Sequence, residues 1–247
     1  MKRIDSAKNP RVKAWKKLKT RKEREKEGLF LVEGYHLVEE ALKHGVRELI
    51  MSEDIALPSH WDVKECEVYI VPSSLIKEIA DTETTQGILA VCEMKEEDKG
   101  NIAEKVLLID GIQDPGNLGT IIRTAEASGI ELVVLGKGTV DLYNAKTIRS
   151  TQGALFHVPI ISKDLGAFIS ELKEREVPVY GTSLKNALPY REVEKSEKFA
   201  ILLGNEGSGV KEEYLEMTTQ NLYIPIIGKS ESLNVAVAAG IVLYHFV

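Results

Sequence analysis

Residues 224–245 read IPIIGKSESLNVAVAAGIVLYH, and this stretch decides the expected fold of the C-terminal half of the chain. A strand end runs into a turn at Gly228 and then into a short polar cluster. After Asn234 the chain carries no charge through Tyr244, which is typical of a buried helix. Ser232 and Asn234 are residue types that cap helix N-termini and can direct polar atoms at a ligand. The segment therefore predicts a buried helix whose entrance forms the lip of a polar pocket.

The composition is that of an ordinary soluble globular protein. The chain has 247 residues, 43% apolar and 28% charged, which suits one large domain or two small ones. The apolar run from Val235 to Tyr244 is shorter than the roughly 20 residues that cross a bilayer, and the basic N-terminus lacks the apolar segment of a signal peptide. Cys66 and Cys92 match no metal-ligand spacing and are interpreted as reduced thiols. We therefore expect a cytoplasmic protein that does not enter a membrane.

The net charge of −6 conceals an asymmetry along the chain. Residues 1–28 contain twelve lysines or arginines against four acids, so this segment carries +8 and the remainder carries −14. A basic arm on an acidic body is a common means of binding a polyanion such as a nucleic acid. A solvated surface helix is the alternative. The helical spacing of Val12, Trp15 and Leu18 predicts that one face of this segment packs on the body.

The charged stretch EMKEEDKGNIAE, near residues 93–104, has no apolar pattern and predicts a linker between two α/β domains. We place the domains at 1–95 and 104–247, with the linker at about 96–103. In the first domain strands are predicted at 30–32, 48–52, 68–71 and 87–91, with helices at 35–44 and 73–81. In the second, predicted strands at 106–112, 131–135, 177–182, 199–203 and 222–225 alternate with helices at 118–128, 164–176, 208–217 and 234–246. Apolar runs such as VLLI and AILL indicate strands buried on both faces of a parallel sheet.

Three glycine-containing turns follow predicted strands of the second domain. They are DGIQDPGN at 110–117, LLGNEGSGV at 202–210, and the turn in the segment quoted first. Ligands of open α/β sheets bind beyond the carboxyl ends of the strands. Three such turns therefore favour a small-molecule pocket over a purely structural role.

The polar residues of these turns leave several roles open. Asn117 is placed to cap the helix after the first turn, and spacing alone makes Arg123 an ordinary surface arginine of that helix. The second turn has the order G-x-x-G-x-G, which is neither the dinucleotide fingerprint nor a phosphate-binding P-loop. Within it, Glu206 either accepts from ribose hydroxyls, approaches a cation, or is a helix-start acid favoured by the macrodipole.

The sequence contains no motif of nucleophilic or metal catalysis. We find no Ser-His-Asp or Cys-His arrangement and no metal-ligand cluster, and the five histidines are scattered. Each histidine is interpreted as structural. We therefore expect chemistry without a metal, which depends on positioning the reactants.

Three motifs, in order, resemble those of the SpoU/TrmH family of RNA ribose 2′-O-methyltransferases in the SPOUT superfamily. They are NLGTIIRTAEASG, LLGNEGSGV and IPIIGKSESLNVAVAAGIVLYHF, and the resemblance covers about residues 104–247. In the first domain, NPRVKAWKKL, FLVEGYHLVEEAL and TTQGILAV are similar to the small substrate-binding domain of the ribosomal-RNA branch.

The resemblance implies a small N-terminal α/β RNA-binding domain, followed by a SPOUT α/β domain whose C-terminal part threads a deep trefoil knot. It also implies that the knot binds S-adenosylmethionine and that the enzyme is a homodimer through the knot region. Strand and helix patterns alone would not predict a knot, because knots are rare.

The resemblance also assigns site residues by their position in the motifs. Cofactor binding falls on Thr182, Gly204, Asn205, Gly207, Ile224, Ile226 and Leu233. The catalytic set comprises Asn117, Arg123, Glu206, Ser232 and Asn234. The basic segment, and not a motif position, supplies the RNA-binding candidates Arg11, Lys13, Lys16, Lys17 and Arg21, and no metal site is expected. The chain departs from the family at Ile226, where methionine is frequent, and at Ala236, where serine is frequent.

The implied reaction is attack of a ribose 2′-oxygen on the sulfonium methyl group. A guanidinium has a pKa above about 12 and stays protonated in proteins. We therefore interpret Arg123 as a clamp on the target phosphate that also stabilises the developing alkoxide, rather than as the base. A phosphate oxygen or water then takes the proton, and Asn117, Ser232 and Asn234 orient the ribose and Arg123.

The expected function is ribose 2′-O-methylation of large-subunit, 23S-type ribosomal RNA, which the extra N-terminal domain favours by analogy. One alternative is a transfer-RNA 2′-O-methyltransferase. Another is a non-catalytic RNA-binding or ribosome-assembly factor on the same scaffold, which predicts losses in the polar set, and none is seen. An ordinary nucleotide-binding enzyme is disfavoured because both phosphate-loop motifs are missing from the sequence.

Overall fold

The computed structural model describes residues 1–95 and 103–247, and the chain divides into two compact units. Within the described residues, the first unit is 1–95 together with Tyr143–Phe156. The second unit is 103–142 together with His157–Val247.

The first unit contains a five-stranded mixed sheet with helices. Its strands are β1 (Lys2–Arg3), β2 (Leu29–Glu33), β3 (Val46–Ser52), β4 (Glu67–Val71) and β5 (Ile88–Glu93). Its helices in this part of the chain are α1 (Pro10–Lys17), α2 (Arg21–Glu27), α3 (Tyr35–Leu42) and α4 (Ser73–Ile79). The strand order is β1-β4-β3-β5-β2, and only β5 runs antiparallel to its neighbours. The strands and helices predicted for this domain are confirmed, with ends shifted by a few residues.

The basic segment 1–28 is a folded part of the first unit rather than a detached arm. Val12, Trp15 and Leu18 are buried in its core, as their helical spacing predicted. Pro10 occupies the first turn of α1, and the Asn9 side chain caps that helix. Strand β1 also pairs with β4, so the segment is held to the first unit through β1 as well as through α1.

The second unit contains a seven-stranded sheet in which every neighbouring pair is parallel. Its strands are β6 (Lys105–Ile109), β7 (Leu132–Leu135), β8 (Ile160–Ser162), β9 (Val179–Thr182), β10 (Ala187–Pro189), β11 (Phe199–Leu203) and β12 (Gln220–Tyr223). The helices in this part of the chain are α5 (Pro115–Ala127), α6 (Ala145–Thr151), α7 (Leu165–Glu174), α8 (Glu212–Leu215) and α9 (Val235–Phe246). The order is β10-β12-β9-β11-β6-β7-β8. All five residues of β11 are buried, which confirms the expected parallel sheet.

Helix α6 belongs to the first unit, although the predicted second domain, 104–247, includes it. Arg149 of α6 forms an ion pair with Asp81 at 3.0 Å. The ring of Tyr143, just before α6, packs on Phe30 with centroids 4.6 Å apart. No composition change marks this excursion in the sequence, so the predicted boundary missed it. Of the predicted linker at about 96–103, all but Ala103 lies outside the described residues.

The segment quoted first crosses the carboxyl end of the parallel sheet. It leaves β12 and enters α9, which packs against α5, the helix that follows β6. Strands β9 and β11 lie between β12 and β6, so residues 224–234 pass beyond the ends of both. The two helices run side by side, because Asn234 contacts Asn117 at their starts and Tyr244 contacts Ala127 at their ends. This crossing brings the third turn beside the first two.

Helix α9 is confirmed, but the expectation of a wholly buried helix is only partly correct. Ala239, Val242 and Leu243 have no exposed surface. Val237 and Tyr244 are 52% and 58% exposed on another face. The uncharged sequence did not distinguish these two faces, because both are apolar.

Candidate active site

The turn after β11 folds back on itself at a position where only glycine fits. A Cβ atom on Gly204 would lie 2.1 Å from the backbone nitrogen of Val210 and 2.2 Å from the carbonyl carbon of Gly209. Residues Asn205 and Gly209 then exchange two backbone hydrogen bonds, each 3.0 Å long. The missing side chain therefore allows a tight, closed loop over residues 205–209.

The side chain of Asn205 holds this loop together and ties it to the first turn. Its Oδ1 accepts from the backbone N–H groups of Gly207 at 2.9 Å and Ser208 at 3.0 Å. Its Nδ2 donates to the carbonyl of Gly111 at 2.8 Å. The predicted cofactor residue Asn205 is thus mainly an organiser of the loop, which it shapes through its amide group.

Glu206 connects the second turn to the start of α5. Its carboxylate accepts from the backbone N–H groups of Gln113 and Asp114, both at 3.0 Å, and from Asn117 Nδ2 at 3.1 Å. Burial raises the pKa of Glu206, but the hydrogen bonds from Asn117, Gln113 and Asp114 outweigh it and hold the pKa below its ordinary value. The carboxylate lies at the N-terminus of α5 and not at that of the helix that follows Glu206 in sequence. Glu206 is therefore an acid at a helix start, as one interpretation proposed, but the helix is α5.

The two asparagines of the predicted catalytic set are hydrogen-bonded to each other. Asn234 Nδ2 donates to Asn117 Oδ1 at 3.0 Å, and Asn234 Oδ1 caps α9 by accepting from the Ala236 N–H at 2.9 Å. Asn117 itself is not a helix cap, contrary to prediction. Asp114 caps α5 instead, because the helix begins at Pro115 and the Asp114 side chain accepts from the Asn117 N–H. A chain of contacts, Glu206–Asn117–Asn234, therefore joins all three turns.

A cavity of about 650 Å³ opens beside this network, between the second and third turns. Its volume lies in the range of roughly 300–1,000 Å³ that small-molecule sites occupy. Of the predicted cofactor and catalytic residues, those lining it are Thr182, Asn205, Glu206, Gly207, Ile224, Ile226, Ser232 and Leu233. Gly204 lies behind the loop, which it shapes, and does not line the cavity. Ile226 and Leu233 are each more than one-third exposed and supply apolar walls.

Some functional candidates were missed from the sequence. Asp110 at the end of β6 is buried, and its Oδ2 accepts from the Lys211 N–H at 2.9 Å while Lys211 Nζ lies 3.4 Å from its Oδ1. Lys185 and Lys211 line the cavity, and each has an acidic partner, Glu212 at 3.1 Å for Lys185 and Asp110 for Lys211. A charged residue directly after the buried run VLLI was the available signal for Asp110.

Arg123 is exposed on α5 and does not line the cavity. It follows Asn117 by six residues, about 9 Å further along the helix axis. Within residues 1–95 and 103–247, its side chain forms no hydrogen bond or ion pair. The guanidinium is therefore available to an anionic ligand on the exposed side of α5.

The five RNA-binding candidates of the first unit differ in their surroundings. Three have acidic partners, namely Arg11 with Glu48 and Glu67, Lys16 with Glu78, and Arg21 with Glu25. The side chains of Lys13 and Lys17 are exposed and have no such partner among the residues that the structure describes.

No group of three His, Cys, Asp or Glu side chains in the described residues is placed to hold a metal ion. Among the helices that the structure describes, none is both long and apolar enough to cross a membrane.

Comparison with known proteins decides the family. The model of the SpoU rRNA methylase family matches residues 104–244, which is more than half of the chain. The chain belongs to the SpoU rRNA methylase family. Residues 9–90 of this SpoU methylase match a second family, the MRM3-like substrate binding domain. The family predicted from the three motifs is thereby confirmed, and so is the α/β fold class with its parallel sheet.

Individual relatives of this SpoU methylase resemble it over nearly its whole length. It is 52% identical to the 23S rRNA (guanosine(2553)-2′-O)-methyltransferase RlmP of Bacillus subtilis, over 99% of both chains. It is similar to the AdoMet-bound rRNA methyltransferase from Sinorhizobium meliloti, with a TM-score of 0.86, 31% identity and coverage of 98% of this chain and 96% of that one. The AdoMet complex of the SpoU methyltransferase AviRb from Streptomyces viridochromogenes gives a TM-score of 0.85 and 26% identity, with 96% of each chain covered.

Proposed function

We propose that this chain is an S-adenosylmethionine-dependent RNA methyltransferase that methylates a ribose 2′-hydroxyl of 23S-type ribosomal RNA. The observation that carries the proposal is the Glu206–Asn117–Asn234 network beside a ligand-sized cavity. The Bacillus subtilis relative, named a 23S rRNA guanosine 2′-O-methyltransferase, supports the substrate class. A cytoplasmic location is part of the proposal, since ribosomal RNA is found there.

The residues that line the cavity fit the cofactor. Residues of the loop that Gly204 shapes line the cavity, and Ile224, Ile226 and Leu233 provide apolar walls for a nucleoside. When bound there, S-adenosylmethionine supplies an already activated methyl group. The protein then has to align the acceptor and stabilise the charge that develops on it.

The network supports separate roles for its residues around the ribose that accepts the methyl group. Glu206 fixes Asn117, and Asn117 fixes Asn234, so that these amides and Ser232 can orient the ribose. Glu206 is a poor proton acceptor, because its carboxylate already accepts three hydrogen bonds and its pKa is lowered. Arg123 clamps the target phosphate and stabilises the alkoxide, and a phosphate oxygen or water takes the proton.

Glu206→Gln is expected to lower the stability of the protein at neutral pH, because one oxygen acceptor is replaced by an amide donor facing N–H groups. The loss is about 1–2 kcal/mol, reduced by solvent screening, or about 2–6 °C in melting temperature. A carboxyl whose pKa is lowered stabilises the fold above its ordinary pKa of 4.5, and this contribution is lost as the pH falls through the folded value. Thermal unfolding between pH 7 and pH 3 should therefore show the melting temperatures of the wild type and the variant approaching each other at acid pH. A difference that stays constant with pH would contradict this role.

We also propose that the enzyme is a homodimer through the α5–α9 face. Val237 and Tyr244 are exposed apolar side chains on one side of α9, next to the helix that carries Arg123. Contiguous exposed apolar surface of this kind is a frequent mark of an interface. The trefoil knot belongs to the same proposal, and the path of residues 224–234 beyond β9 and β11 supports it.

Val237→Glu is expected to convert a dimer into a monomer, because it places a charge in the centre of the proposed interface. Sedimentation velocity at micromolar concentration measures this change. Leu188→Glu on β10 is the matched control, since Leu188 is also exposed, at 42%, and lies on another element. A Val237→Glu variant that stays dimeric would refute this interface.

Titration of the full chain with S-adenosylmethionine tests the proposed function at its first step. We expect one binding site per chain and methyl transfer to a 23S-type RNA fragment. A transfer-RNA methyltransferase would instead modify transfer RNA in the same assay. A non-catalytic factor would transfer no methyl group to either RNA.

A further inference from the structure

The structure separates the cations of the basic segment into two groups. Eight of the twelve are engaged inside the first unit by carboxylates or carbonyls: Lys2, Arg3, Arg11, Lys16, Lys19, Arg21, Arg24 and Lys26. The remaining four are Lys8, Lys13, Lys17 and Lys22. In the described part of the chain their side chains form no hydrogen bond or ion pair, and the same holds for Arg47 of β3. Net charge alone therefore overstates how many cations the segment offers to a partner.

Three of these uncommitted cations line one groove of the first unit. The groove has a volume of about 530 Å³ and contains Lys13, Lys17 and Arg47. Lys13 and Lys17 lie one turn apart on α1, about 6 Å along the axis, so they point to the same side. The groove floor is apolar and includes side chains of α1 and its C-cap, of β2 and of β5: Trp15, Leu18, Leu29 and Val91.

Carboxylates of α2 form another part of the same groove. Glu23 and Glu27 lie four residues apart and both line it. The hydrogen bond from Lys26 lowers the pKa of Glu27 most, and the charges of Lys17 and Arg47 lower it further. Lys17 and Arg47 therefore face the same carboxylate from α1 and β3. Glu48 of β3 also lines the groove and is ion-paired with Arg11. Apart from that pair, the groove has cations on α1 and β3 and acids on α2 around an apolar floor.

We propose that this groove binds an unpaired segment of the RNA substrate, with Lys13, Lys17 and Arg47 on its phosphates. The inference rests on the proposed function, since it assigns part of the RNA to the first unit. A duplex would bring a second phosphate backbone against Glu23 and Glu27, which repel it. A single strand places bases there instead, and their amino groups donate to carboxylates.

Point variants of the full chain are needed to test the groove, because deleting residues 1–28 would remove the core residues Val12, Trp15 and Leu18. The test variant is Lys13→Ala/Lys17→Ala/Arg47→Ala. The control variant, Lys43→Ala/Lys64→Ala/Lys77→Ala, removes the same charge from the same unit. Lys43 and Lys64 have acidic neighbours there, and Lys77 lies on α4. Circular dichroism and thermal unfolding check that both variants are folded.

Two RNA probes are compared. One is an unstructured single strand of roughly 12 nucleotides, which is within the usual site size of proteins that bind single strands, and the other is the same strand annealed to its complement. Fluorescence anisotropy measures affinity at several salt concentrations. The groove variant should bind the single strand at least about tenfold more weakly, and the slope of log affinity against log salt should fall by about 2, since each single-strand contact contributes about 0.7. The control should keep the wild-type slope, and the duplex should bind the wild type more weakly than the single strand.

Equal losses in both variants, or an unchanged slope in the groove variant, would overturn the groove assignment. Duplex binding as tight as single-strand binding would overturn the preference for unpaired RNA. If the wild-type protein methylates RNA in a separate assay, the proposed function stands in either of these cases. A wild type that binds the probe through the groove but methylates no RNA would count against the proposed function alone.

Discussion

The Gly204→Ala variant is expected to lose about 100-fold in affinity for S-adenosylmethionine. The added Cβ would lie 2.1 Å from the Val210 nitrogen, so it meets backbone rather than a side chain that could rotate away. The closed loop 205–209 must therefore move, and this loop lines the cavity that we assign to the cofactor. Isothermal titration calorimetry with the purified variant measures the loss.

Gly228→Ala is the matched control for this substitution. Gly228 lies in the crossing segment 224–234, other residues of which line the same cavity, but a Cβ there would meet no atom within 4 Å. Its backbone is also outside the left-handed region, so alanine is tolerated there. We expect wild-type cofactor affinity from this control. A Gly204→Ala protein that binds the cofactor as the wild type does would show that the loop does not form the site.

Arg123→Lys is expected to lower the turnover number by about 100-fold or more while leaving cofactor affinity unchanged. Lysine keeps the positive charge but loses the planar fork that holds a phosphate with two parallel hydrogen bonds. Arg123 has no partner among the described residues and does not line the cavity, so its loss should leave the fold and the cofactor site intact. Single-turnover methyl transfer at saturating RNA separates this effect from binding.

Arg191→Lys serves as the control for the same chemical change elsewhere in the second unit. The Arg191 side chain donates to the hydroxyl of neighbouring Tyr190, away from the network. This variant should turn over at the wild-type rate. Near-normal turnover of Arg123→Lys would refute the clamp.

The parallel sheet was predictable because strands buried on both faces are continuous apolar runs. VLLI and AILL became β6 and β11, which pair in the centre of the sheet. The short edge strands β8 and β10 were missed, since three residues give no pattern that distinguishes a strand from a loop. The assignment of residues 143–156 to the first unit was missed as well, because the contacts of Arg149 with Asp81 and of Tyr143 with Phe30 are long-range.

The candidate site was predictable in its residue types but not in its connections. Glu206 and Asn117 stand 89 residues apart, and their hydrogen bond depends on where two different turns meet in space. The ion pairs of Arg11 and Lys16 also depend on tertiary structure, because their acidic partners are distant in sequence. The partner of Arg21 is Glu25, one helical turn away. The capping role of Asp114 was predictable from the sequence, since Asp-Pro is a usual start of a helix.

The most direct test of the proposed function is a map of ribose 2′-O-methylation in total RNA from a strain that lacks this chain, compared with its parent. We expect a mark to be lost from 23S-type ribosomal RNA. The wild-type chain should restore it, and the Arg123→Lys variant should restore it poorly or not at all. An unchanged ribosomal RNA map, or a mark lost from transfer RNA alone, would contradict the proposed function.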